Sequence, residues 1–356
     1  MRVEIKKLFI GFAVAIGAAA ASLHGDQAAA QGGAYSFGVV GDTPYTKAQT
    51  AEFSRVIASL NAADLRFVIH VGDFEFDPRP FNRDPSKADM PCTDENFAAV
   101  LASFQTSKHP FVLTPGDNDW TDCKHLKARK VDPLERLAKL RTMFYPDGMS
   151  LGREPMKVVS QASDSGFSKF RENLVWSVGP VTYVTVHTVG SEDNSKGNPE
   201  EYKERLAANI AWLKKAFAAA KSNGDLGLVI MTQANPQFEN RWTRSYASRY
   251  ARSVRGAEAP KEPESSPYDP FLDALIAEMQ SFDKPVAYIH GDTHIFRVSK
   301  PLMNPKTKRF FENFNRVETF GWPDSNWVRV TVDPANPELF EFHAEVVKEN
   351  SANYSR

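Results

Sequence analysis

The sequence predicts a layered α/β sandwich, with sheet packed on sheet between helices. Two observations carry this. Apolar strand segments alternate with amphipathic helical segments early in the chain, and strands dominate late. Four apolar runs also end in the same dipeptide, Gly-Asp, where a sheet presents polar groups at its carboxyl edge.

The elements follow in order. Tyr35 to Val40 reads as a strand and runs into Gly41-Asp42. Thr46 to Asn61 reads as a helix, with Phe53, Ile57 and Leu60 on one face. Leu65 to Val71 is a second strand, ending at Gly72-Asp73. The proline-rich stretch from Phe74 to Pro91 reads as a loop. Thr93 can cap a helix that runs to about Ser107, and Phe111 to Thr114 is a strand before Gly116-Asp117. Asp132 caps a helix from Pro133 to Tyr145. Leu174 to Thr188 reads as a hairpin around Gly179-Pro180. Pro199 to Ser222 is a long amphipathic helix, and Leu226 to Met231 a strand. Trp242 to Pro267 is polar and Arg-rich, an excursion from the core. Tyr268 to Phe282 is helical, and Val286 to His290 is a strand before Gly291-Asp292. Phe310 to Val347 reads as further strands. With no linker and no fixed repeat, residues 31–356 are expected to form one domain.

The 356 residues carry a formal charge of -1, which gives no reason to expect nucleic acid or an anionic membrane as partner. Residues 1–30 have a basic start at Arg2, Lys6 and Lys7, an apolar run from Leu8 to Leu23, and small residues at Ala28 to Ala30. They are expected to be a secretory signal; the alternative is a short membrane anchor. That places the mature chain in the periplasm or outside the cell, with no membrane span. In such a compartment the two cysteines, Cys92 and Cys123, are expected to pair.

Chemistry concentrates in FGVVGD at 37–42, FVIHVGD at 67–73, FVLTPGD at 111–117 and VAYIHGD at 286–292. Carboxylates delivered together to one sheet edge repel each other, and a divalent cation supplies the missing counter-charge. The competing reading is that Gly-Asp is an ordinary turn, as at Gly224-Asp225. The ordered set GDTPY, GDFEF, GDNDW, TQANP and HGDTH, spanning about 36 to 296, resembles the calcineurin-like metallophosphoesterase superfamily, which includes purple acid phosphatases.

That resemblance implies a four-layer α/β/β/α sandwich and one or two divalent metal ions. It implies Asp42 and His294 as ligands of a first metal, Asp73 as a bridge, and Asp117, Gln233 and Asp292 as ligands of a second. Asn118 and Asp119 take the place of the catalytic side chains beside the metals. The implied reaction is hydrolysis of a phosphorylated small molecule, with metal-activated water attacking phosphorus in line. The chain departs from the pattern at Pro44 and Asn118, where the family has histidines, and at Gln233 and Asp292, which replace metal-binding histidines. The set is rich in oxygen, so manganese, magnesium or calcium is favoured over iron or zinc. Losing those histidines motivates the alternative, a catalytically weak metal- or phosphate-binding protein on the same fold.

Other signals are weaker. His125 is a candidate acid or a surface histidine. His70 and His290 stand just upstream of Gly-Asp pairs, as supporting or core histidines. Arg241, Arg244, Arg249, Arg252 and Arg255 form either a frame for an anion or a solvated face. Asn194, in GSEDN, is placed to reach the site. Gly148 to Gly152 fits G-x-S-x-G but lacks the strand-to-helix context that pattern needs.

Overall fold

Helix ends are set by their own sequence signals in the computed structural model, which describes residues 33–75, 92–125, 131–241 and 265–351. Helix α1 (Lys47–Ala62) begins where the Thr46 hydroxyl accepts the Gln49 N–H, and it buries Phe53, Val56, Ile57 and Leu60 at helical spacing. Helix α2 (Asp94–Phe104) is capped by Thr93, with Asp94 and Glu95 in its first turn. Helix α3 (Pro133–Phe144) is capped by Asp132 with proline in the first turn. Helix α4 (Pro199–Asn223) starts at Asn198 and stops at Gly224, whose φ of 69° no side chain favours. Helix α5 (Asp269–Met279) completes the set. The basic leader, and the Arg-rich excursion at 242–264, lie outside the described residues.

Strands β1 (Tyr35–Val40), β2 (Val68–His70) and β3 (Phe111–Leu113) are parallel. Strands β11 (Trp327–Val332) and β12 (Phe340–Glu345) extend them antiparallel, giving the order β12-β11-β1-β2-β3. The second sheet holds β4 (Val159–Ser160), β5 (Leu174–Val178), β6 (Val181–Thr185), β7 (Gly227–Met231), β8 (Val286–His290), β9 (Arg297–Ser299) and β10 (Phe314–Glu318). Its order is β4-β5-β6-β7-β8-β10-β9, with β6, β7, β8 and β10 parallel.

The sheets pack face to face. Phe37 and Phe67 stack at 4.8 Å, and Phe67 meets Trp176 and Tyr183 of the other sheet at 5.3 and 5.0 Å. Each such ring pair adds about 0.5–1.5 kcal/mol beyond its buried area. Helices α1 to α3 cover the outer face of the first sheet, where Phe104 touches Phe53, His70 and Phe111. Helices α4 and α5 cover the second, with Trp212, Leu213, Phe217, Phe271 and Leu275 in one cluster with Leu228 and Ile230. The result is the expected α/β/β/α order.

Three details differ from expectation. The segment from Leu65 to Val71 yields only three ladder residues, because β2 pairs on both sides only at Val68–His70. The late strand near Phe310 begins at Phe314. Edge strands β4 and β9 have two and three residues, too short for a periodic signal. The Cys92–Cys123 disulfide is present and closes a separation of 31 residues, worth about 3–4 kcal/mol. Both sulfurs lie 3.8 Å from the Asn118 carbonyl oxygen, beside the third Gly-Asp segment. No helix among the described residues is long and apolar enough to cross a membrane.

Candidate metal centre

The four Gly-Asp segments arrive at one place, where the carboxyl ends of β1, β2 and β3 meet those of β7 and β8. Backbone shape drives this. Asp42, Asp73 and Asp292 adopt positive φ of 53, 62 and 80°, as does His294 at 65°. Asp tolerates this left-handed region better than most side chains. Of the four glycines only Gly72 has positive φ, so these glycines serve mainly to leave room. A Cβ on Gly116 would lie 1.8 Å from Asp73 Oδ1, and one on Gly291 would lie 2.1 Å from Asp42 Oδ2.

The carboxylates interlock. Asp42 Oδ1 accepts the Asp292 N–H at 2.9 Å and lies 3.5 Å from His294 Nε2. Its Oδ2 is buried and has no hydrogen-bond partner. Asp73 Oδ1 accepts the Asn118 N–H at 3.1 Å, and Oδ2 accepts from the Gln233 amide at 3.0 Å and the Tyr45 hydroxyl at 3.2 Å. Asp117 Oδ2 accepts the Ser191 hydroxyl at 2.5 Å, and Asp292 Oδ2 accepts the Asn235 N–H at 2.9 Å. The Oδ1 atoms of Asp117 and Asp292 both lie against Gly190, 2.7 and 2.8 Å from where its Cβ would stand. His294 Nδ1–H donates to the Trp322 carbonyl at 2.7 Å, so Nε2 keeps its lone pair and faces Asp42 and Tyr45.

Three predicted site residues also make contacts that hold the loops. Asp119 accepts from the N–H groups of Asp73, Phe74 and Gly116, which pins two of the Gly-Asp loops together. The Asn118 side chain donates to the Glu75 carbonyl at 3.1 Å, away from the carboxylates. Gln233 accepts the Gly190 N–H through its amide oxygen at 2.7 Å, and its NH2 faces Asp73 and Asp292. The Gly190 N–H thus fixes the amide orientation and uses one of the two lone pairs of its oxygen.

The minor signals fall outward. His125 lies 3.8 Å from Asp122. His70 bonds to Thr43 O and Gly72 N on the helix side of β2, as a core histidine. His290 is buried, with Nδ1 at the Gly291 carbonyl. Arg241 pairs with Asp269 and Asp273, and its four arginine companions lie outside the described residues. Ser150 bonds within its own loop. Sequence reasoning missed Ser191 and Glu318. Glu318 is fully buried beside the site, held by Arg297 at 2.6 Å and by the Thr293 hydroxyl. It ends a strand, in RVETFG at 316–321, a stretch that gives it no role in the site by itself.

Burial and mutual repulsion set the charge state. They push Asp42 and Asp73 well above the usual carboxylate range and Asp292 up to about 7. Burial, then Asp73 and its neighbours, raises the Tyr45 phenol, which keeps its proton. Burial lowers His294, so its ring is neutral. Among the described residues, no three carboxylate, imidazole or thiolate groups already form a closed ligand cluster. The donor set nevertheless fits a cation. It offers an orphaned buried oxygen on Asp42 and a lone pair on His294, with the carboxylates of Asp73 and Asp292 close by.

The shifts have a thermal consequence. A carboxyl whose folded pKa is raised stabilises the fold while protonated, and that stability is lost as pH rises through the folded value. His70, His187 and His290, held neutral by burial, act in the opposite sense below their unfolded 6.5. In chelator the melting temperature should therefore fall as pH rises from about 6.5 through the Asp292 value of about 7. Saturating Mn2+ should remove the fall. A flat melting profile in chelator would show that the carboxylates are not held against their charge.

No family model matches the chain, and no curated protein matches it. Solved structures do. A structure of PhoD is similar at 12% identity and a TM-score of 0.46, over 85% of this chain and 64% of that one. The 5'-nucleotidase from Candida albicans SC5314 is similar at 12% identity and a TM-score of 0.36, over 87% of this chain and 50% of that one. The chain thus spans less than two thirds of either neighbour's length.

Proposed function

We propose that this chain is a metal-dependent hydrolase of phosphate esters, acting outside the cytoplasm. The observation that carries the reading is the meeting of Asp42, Asp73, Asp117 and Asp292 at one carboxyl edge, with an acceptor on Asp42 that no group among the described residues satisfies. One half-site is Asp42, Asp73 and His294, with the Tyr45 hydroxyl 3.3 Å from His294 Nε2. The other is Asp73, Asp117 and Asp292. Gln233 braces Asp73 between the halves.

When bound, a divalent cation supplies Lewis-acid polarisation of a phosphoryl oxygen and acidifies water at neutral pH. The chain's own groups do the rest. Asp292 and His294 are partly exposed, so this side is open to substrate. His294 is held in one tautomer by Trp322, which fixes the ring plane. Asn118 is turned to Glu75, and an amide is no proton donor in any case. Asn118 therefore supplies no proton to a leaving group, and esters with good leaving groups should be hydrolysed fastest.

The test uses the purified chain with Mn2+ on p-nitrophenyl phosphate, bis-p-nitrophenyl phosphate and an alkyl phosphate. We expect turnover of the aryl esters that chelator removes and Mn2+ restores, and much slower turnover of the alkyl ester. Tight Mn2+ binding without turnover of any ester would leave a metal-binding protein on this fold. The turning away of Asn118 is the observation that favours that second reading.

A further inference from the structure

Asp292 and His294 fall in different half-sites, yet they stand two residues apart in one loop, both with positive φ. Thr293 lies between them. Its N–H donates to the Gly291 carbonyl at 3.1 Å, which closes a tight bend. Two contacts hold the flanks of this loop. Asp42 Oδ1 accepts the Asp292 N–H, and His294 Nδ1–H donates to the Trp322 carbonyl. A third holds its middle. Thr293 is exposed, but its hydroxyl turns inward and donates to Oε1 of Glu318, which is fully buried.

Glu318 is itself held firmly. It ends β10, in register with His290 of β8 and with Arg297 of β9. Arg297 Nε donates to its Oε2 at 2.6 Å, so each carboxylate oxygen has a partner. Its charge reaches Asp42, Asp292 and His294. A buried carboxylate beside other carboxylates adds repulsion, and an amide would accept from Thr293 without that cost. Such a charge burdens the cation-free chain and favours a bound cation.

We propose that Glu318 is a positioning residue for both half-sites: through Thr293 it sets the spacing of Asp292 and His294, so that one contact governs the affinity of the whole centre for its cations. This rests on the reading of the carboxylate cluster as a metal site. The inference concerns how tightly cations are held, and its readout is binding rather than turnover.

Isothermal titration of the full chain with Mn2+ tests it, on the wild type and on Thr293→Val, Thr293→Ser and Glu318→Gln. Thr293 is exposed and its φ is not positive, so valine keeps the backbone and the branched shape while removing the hydroxyl. Melting in chelator separates positioning from support of the fold. All Mn2+ binding should weaken by about 10–100-fold in Thr293→Val, and at least as much in Glu318→Gln. Thr293→Ser keeps the hydroxyl and should bind like the wild type, and Thr293→Val should melt in chelator like the wild type. Unchanged affinity in either Thr293→Val or Glu318→Gln overturns the role of Glu318 while the metal reading stands. So does equal weakening in Thr293→Val and Thr293→Ser, or weakening confined to one of two bound ions. A large fall of chelator melting in Thr293→Val also overturns it, because the contact then supports the fold. Wild-type protein that binds no Mn2+ overturns both readings.

Discussion

Asp73→Asn should lower aryl phosphate turnover by about 10³-fold, the cost of losing a main electrostatic support of the transition state. The same change should raise the melting temperature of the cation-free chain. Asp73 sits among Asp42, Asp117, Asp119 and Asp292, whose charges push its carboxyl up after burial has done so. An amide removes one charge from that group and keeps the acceptor that Asn118 N–H uses. Part of the gain is lost where the new NH2 meets the Gln233 NH2. The net is a variant that melts higher in chelator at pH 8 and gains little from Mn2+. Such opposition of stability and activity is expected where a site stores repulsion. Wild-type turnover in Asp73→Asn would remove Asp73 from the reaction altogether. Equal melting in chelator would show that the buried carboxylates do not strain the fold.

Arg205→Ala should cost about 3–5 kcal/mol, as breaking a buried ion pair does. Arg205 is fully buried and makes five bonds. Nε donates to Glu201, one terminal nitrogen to His187 O and Asp193, and the other to Asp193 O and Glu201. That uses every N–H a guanidinium has. Alanine leaves Asp193 and Glu201 without their counter-charge and releases the turn that carries Ser191. Arg205→Lys should not rescue, because one ammonium cannot fork between acceptors at this spread. Denaturant unfolding reads the stability. A loss below about 1 kcal/mol would mean the network is solvated and the turn is held by other means.

Much of this was legible in the sequence, for identifiable reasons. Thr93 and Asp132 announce their helices because a capping side chain acts within three residues. The Gly-Asp segments announce the carboxyl edge because apolar runs of strand length precede them. What the sequence concealed depends on partners far along the chain. Asp119 looks like a member of the site, yet three backbone donors take its carboxylate. Gln233 looks like a ligand, and its orientation is set by the distant Gly190 N–H, which donates to its oxygen. Ser191 looks like a loop serine. Its left-handed φ comes from Arg205, Tyr268 and Gln233, none of them local. In the Gly-Asp segments Asp42, Asp73 and Asp292 bend, and apart from Gly72 the glycines make space.

Strand β1 carries Asp42 and lies between β2 and β11, where Tyr35 faces Val332. Its two neighbours come from near the start and near the end of the described chain. Ordering β1 on both sides therefore means closing a very long loop, a kind of contact that makes folding slow. Until β11 arrives, β1 keeps one open edge, able to pair with the wrong strand. On the proposed reading of the site, a cation at Asp42 would therefore report completion of the sheet instead of nucleating it.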